Sequence, residues 1–105
     1  MTDSNNEHTV YRDDDLAQLT SLFEHARALV AEDAANGHDE GTSVLGAGIA
    51  IRYRAPRIRV GKYTRKIIVA APFQGNVGSS RASKRALEYL RTCKIDAFWW
   101  DGRMD

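Results

Sequence analysis

The feature that most constrains the fold is a change in the spacing of apolar residues along the chain. Leu16, Leu19, Phe23, Ala26 and Val30, widened by Leu22 and Leu29, recur with the period of one helical face. Ile49, Ile51 and Tyr53 alternate with Ala50, Arg52 and Arg54, which is the period of a half-buried strand with a basic outer side. Residues 63–70 read as a returning strand. Ala82, Ala86, Leu90 and Cys93, broadened by Leu87 and Tyr89, restore the helical period, and residues 95–100 have strand composition. The order is helix, strand, strand, helix, strand. It predicts an α+β fold with the two helices packed on one face of a small, mostly antiparallel sheet.

Local signals set the expected boundaries. Asp15 and Gln18 have capping-box spacing, and Asp13, Asp14 and Asp15 place negative charge at the positive end of a helix dipole, so the first helix is expected near Leu16. Asn36-Gly37 stops it. Gly46 and Gly48 suggest a bend or a close backbone approach ahead of the first strand. Pro56 and a shift of apolar phase predict a bulge or turn at Ala55-Pro56, and Gly61-Lys62 a two-residue turn. That turn would set Val60 opposite Tyr63 and Ile58 opposite Arg65, with Ile67 on their side and Arg57, Arg59, Thr64 and Lys66 on the other. Ser79 or Ser80 is expected to cap the second helix, from about Arg81 to Cys93. Residues 1–13 have little to bury and read as a disordered acidic tail, leaving residues 14–105 as one domain.

Composition narrows the class. A chain of 105 residues, 43% hydrophobic and 28% charged, suits a single core. It carries no apolar run of the roughly 18 to 20 residues that a membrane helix needs. Its polar, acidic beginning lacks the pattern of a secretory signal, so a cytoplasmic location is the expectation. Cys93 is the one cysteine, which excludes an internal disulfide or a cysteine-based zinc site. His8, His25 and His38 lie in the tail, on the acidic helix and in a loop, with no second histidine at i, i+4, so no metal, no cofactor and no catalytic residue is expected. Cys93 reads as a small apolar filler.

The net charge of +1 conceals a cancellation. Residues 1–51 hold ten acids and two bases, residues 52–94 twelve bases and the single acid Glu88, and residues 95–105 three acids and one base. Such segregation points to an anionic partner or to charge pairing. The leading expectation is a small, non-enzymatic nucleic-acid-binding protein that contacts phosphates. Its expected contacts are Arg52, Arg54, Arg57, Arg59, Lys62 and Lys66 on the hairpin, and Ser80, Arg81, Lys84, Arg85 and Arg91 on the second helix. Backbone N–H groups at Ser79, Ser80 and Arg81, following Gly75 and Gly78, are the expected cradle for one phosphate oxygen. In the rival reading, the acidic helix of one chain meets the basic face of another, with Trp99 and Trp100 at the interface of a homodimer or other protein complex. A small-molecule binder or an enzyme is a third class, because small α+β folds host many functions.

In one stretch, Ser83-Lys84-Arg85-Ala86 on a basic second helix reached from a strand through a glycine-containing loop, the chain is similar to double-stranded RNA-binding domains. The likeness ends there. That family has three strands before its second helix, where this chain shows one hairpin, and the aromatic strand Phe98-Trp99-Trp100 has no counterpart in it.

Overall fold

Eight elements follow one another in the computed structural model, which describes residues 8–57 and 63–104. They are β1 (Val10–Tyr11), α1 (Asp13–Ala35), β2 (Val44–Leu45), β3 (Gly48–Tyr53), β4 (Thr64–Ala70), α2 (Asn76–Thr92), β5 (Phe98–Trp100) and β6 (Arg103–Met104). The expected order is present in α1, β3, β4, α2 and β5, and the fold is α+β. Strands β1, β2 and β6, of two residues each, are too short to show a period.

β3 is the centre of a four-stranded sheet. β4 pairs antiparallel with one edge, from Gly48 opposite Ala70 to Tyr53 opposite Thr64, and a register shift between Ile49 and Ala50 leaves Ile68 as the extra residue. Two strands share the other edge. β5 runs antiparallel, with Trp100 opposite Gly48 and Phe98 opposite Ala50, and β1 runs parallel, with Val10 opposite Arg52 and Tyr11 opposite Tyr53. The sheet is therefore mixed, not mostly antiparallel as expected. The parallel pair arises because α1 lies between β1 and β3 in the chain, and such a crossover is what a parallel neighbour requires. It also means that part of the expected tail is a strand: residues 1–7 lie outside the described residues, but Val10 and Tyr11 belong to the sheet. β2 and β6 make a separate antiparallel pair, with the bend expected between β2 and β3 at Gly46, whose φ is +75°.

The core joins α1 (Phe23, Ala26, Val30) and α2 (Ala86, Leu90) to Ile49 and Ile51 of β3 and Ile68 and Val69 of β4. Ile49, Ile51 and Leu90 are completely buried, each contributing about 1.5–3 kcal/mol through the removal of apolar surface from water. Tyr11, Ile95 and Ala97 close one end, and Leu87, Cys93 and Trp99 pack from the margin.

Both helices begin earlier than local signals predict. α1 starts at Asp13, and Asp15, in its first turn, accepts a hydrogen bond from the Arg12 N–H at 2.8 Å. Asp15 thus reaches back to the cap instead of being the cap. α2 starts at Asn76, a turn before the serines. The hydrogen bonds that sustain this first turn come from residues far away in the chain: Asn76 N–H donates to the Thr42 carbonyl at 3.0 Å and Gly78 N–H to the Glu40 carbonyl at 2.9 Å. Ser79 is inside the helix and buried, its hydroxyl donating to the Phe73 carbonyl at 2.8 Å.

Candidate nucleic-acid interface

The start of α2 is occupied by the chain itself. Residues 38–42 lie across it, so close that a Cβ on Gly78 would collide with the His38 carbonyl oxygen. Asp39 accepts the Gly75 N–H at 2.6 Å, and the Asn76 side-chain oxygen accepts the Thr42 N–H at 3.0 Å. The expected cradle at Ser79, Ser80 and Arg81 therefore does not form: Ser79 N–H donates to the Gly75 carbonyl at 3.1 Å as an ordinary helical bond, and an acidic loop stands where a phosphate was expected. The signal missed was the pair Gly75 and Gly78 read together with the acids of residues 39–40, which need each other's proximity.

The basic residues of α2 are largely matched within the chain. Arg85 holds Glu32 at 2.6 Å and Asp33 at 2.9 Å, and Arg81 holds Glu40 at 2.8 Å. The hydrogen bonds to Asp33 and then Glu32 raise the Arg85 pKa further above its ordinary value. Arg91 donates from Nε to the Ala97 carbonyl at 3.1 Å. Lys84 is exposed without an ion-pair partner among the described residues, and it lines a cleft of about 570 Å³ with Ser80, Ser83, Leu87 and Trp99. Trp99 is half-buried against the core, and its indole N–H donates to Asp101 at 2.7 Å.

The basic residues around the β3–β4 connection are arranged differently. The described pairing ends at Tyr53 and Thr64, so the two-residue register does not extend to Arg57, which stands exposed in a turn after Pro56. The turn expected at Gly61-Lys62, together with Ile58, Arg59 and Val60, lies outside the described residues. Arg54 follows β3 and donates its backbone N–H to the Tyr11 carbonyl at 2.9 Å. Lys66, opposite Ile51, sits over the Tyr53 ring at 5.0 Å.

Cross-strand partners share a face, and the register therefore sorts this sheet. Ile49, Val69 and Trp99 share the face that enters the core. On the opposite face stand Gly48 beside Trp100, Ala50 beside Phe98 and Ile67, and Arg52 beside Arg65. The Arg65 guanidinium lies 3.7 Å from the centre of the Trp100 ring and that of Arg52 4.8 Å from the centre of Phe98. Arg52 is also 3.5 Å from Asp96. Arg52 and Trp100, expected in separate sites, are thus brought together, while Lys66 and Trp99 are turned to the other side. Arg65 and Phe98 were not among the expected contacts. Alternation already paired Phe98 with Trp100, but a register built on the tight turn assigned Arg65 to the apolar side.

Among the described residues no helix is long and apolar enough to cross a membrane. No protein-family model, curated protein or solved structure matches this chain.

Proposed function

We propose that the protein is a non-enzymatic nucleic-acid-binding protein that contacts backbone phosphates through the basic segment 52–66 and the sheet face continuous with it. One observation carries this reading. The α2 arginines Arg81 and Arg85 are neutralised by acids of the first half of the chain, whereas in residues 52–66, seven bases and no acid, Arg52 meets Asp96 but the exposed Arg57, Arg65 and Lys66 have no ion pair among the described residues. Positive charge concentrated in this way neutralises phosphates and releases counterions. It narrows the contact set to the hairpin side, with Arg57 and Arg65 exposed there, and leaves α2 with a structural use for two of its bases. The rival in which the acidic helix seeks a second chain has less charge to draw on, since Glu32 and Asp33 of that helix already meet Arg85.

The test is fluorescence anisotropy of labelled single- and double-stranded DNA and RNA at two salt concentrations. Dissociation constants of about 10⁻⁴ to 10⁻⁶ M that weaken steeply with salt are expected. Replacing Arg57 and Arg65 by Gln should lower the salt slope by about 0.7–0.9 for each phosphate that is no longer neutralised. Replacing Arg81 and Arg85 by Gln should leave it unchanged in molecules that remain folded. Absence of binding to every polymer at low salt discards the reading.

A further inference from the structure

We infer that the nucleic acid bound is single-stranded, DNA or RNA, and that its bases stack on the sheet face formed by Phe98 and Trp100 with Arg52 and Arg65. The inference rests on the reading above and adds to it the substrate class and the surface.

Phe98 and Trp100 are two residues apart on β5, which puts their side chains on one face about 7 Å apart along the strand. Their partners on β3 are the small residues Ala50 and Gly48, both buried beneath the side chains of this face, which are therefore what it presents outward. Both rings are half-buried, so each retains open surface. The exposed Arg65 guanidinium lies over the Trp100 ring and that of Arg52, which also meets Asp96, over Phe98, so the flat surface offered to a base is a cationic plane layered on an aromatic one. Nucleic-acid bases stack on aromatic faces and on guanidinium planes, and the accompanying positive charge follows the phosphates. Bases in a duplex are already stacked on one another and do not present these faces. Among the described residues β5 pairs only with β3. A surface made for phosphates alone has no use for two neighbouring rings on this side, whereas one that accepts unpaired bases does.

The test uses the full chain with labelled oligothymidylate and oligouridylate of about twelve nucleotides, a duplex of the same length, and inorganic polyphosphate as an anionic polymer without bases. The single strands should bind about tenfold or more tighter than the duplex or polyphosphate. The chain has two tryptophans, so the variant Trp99→Phe reports on Trp100 alone; its fluorescence should fall as either single strand binds. Phe98→Leu with Trp100→Leu should remove about tenfold or more of the single-strand affinity and leave duplex affinity unchanged. Arg65→Lys, which keeps the charge but not the plane and does not touch the core, should lose part of the same preference. Equal affinity for all polymers with no quenching overturns the stacking inference and leaves the phosphate-binding reading standing. Failure of every polymer to bind at low salt overturns both. A preference for oligouridylate over oligothymidylate, or the reverse, then distinguishes RNA from DNA as the source.

Discussion

The Tyr11 hydroxyl accepts a hydrogen bond from the Asp96 backbone N–H at 2.8 Å, although 85 residues separate the two. The Tyr11 ring is in the core, only 6% exposed, and its polar end meets the chain between α2 and β5. The Asp96 carboxylate returns the connection by accepting the Thr9 N–H at 2.9 Å. β1 and β5, which share one edge of β3, are thus tied to each other where they meet. Removing residues 1–13 would therefore take a strand from the sheet along with any acidic tail.

Tyr11→Phe keeps the buried ring and removes the acceptor, leaving the part-buried Asp96 N–H without its partner. A loss of about 1–2 kcal/mol in unfolding free energy is expected from urea titration, with the m-value unchanged. An unaltered midpoint would mean that water replaces the hydroxyl at no cost.

Gly78→Ala should destabilise the protein even though alanine is the better helix former by about 1 kcal/mol. The added methyl would collide with the His38 carbonyl oxygen, a backbone atom that moves only if the loop does. A net loss of about 1–3 kcal/mol is expected, together with faster proteolysis within residues 38–42. A stabilised variant would show that the loop does not lie on α2 in solution.

Ser83→Ala should act in the opposite direction. The Ser83 hydroxyl is buried, at 2% residue exposure, and has no hydrogen-bond partner among the described residues. Replacing it removes an unsatisfied polar group and adds helix propensity, for a gain of about 1 kcal/mol. In a chain of this size that corresponds to a melting temperature higher by about 4–8 °C. A fall would reveal a partner for the hydroxyl.

Tyr53 should ionise above its ordinary pKa of 10.0, first because its hydroxyl donates to Asp13 at 2.5 Å, then through burial and the Asp13 charge. The neutral phenol is the favoured form, so the folded pKa exceeds the unfolded one. The stability this contributes is present below pH 10 and is lost as pH rises through the folded value. Asp13→Asn should move the Tyr53 titration, followed by ¹³Cζ shift, back toward 10. An identical curve in the variant would rule out the carboxylate as the cause.

Features legible in order along the chain are those whose cause is local. The apolar period located α1, β3, β4, α2 and β5, because side chains three or four apart share a helical face and those two apart share a strand face. The stop at Asn36-Gly37 and the separation of Phe98 and Trp100 from Trp99 follow from the same rules. The opposition of acidic and basic segments is a matter of counting.

What distance in sequence hides is which groups meet. Ser79 and Ser80 are good caps by their own chemistry, yet α2 starts at Asn76 because Glu40 and Thr42, more than thirty residues earlier, accept its first N–H groups. Two residues of β1 carry no period, and its parallel place beside β3 depends on the crossover through α1. The shift that leaves Ile68 unpaired, and the pairing of Arg52 with Arg65, turned a presumed apolar position into part of a basic, aromatic face. Composition and period thus specify the elements and their charges, which are properties of short stretches of chain. Register, the occupied helix start and the pairing of the α2 arginines came from long-range packing, where each group's energy depends on partners that no local pattern identifies.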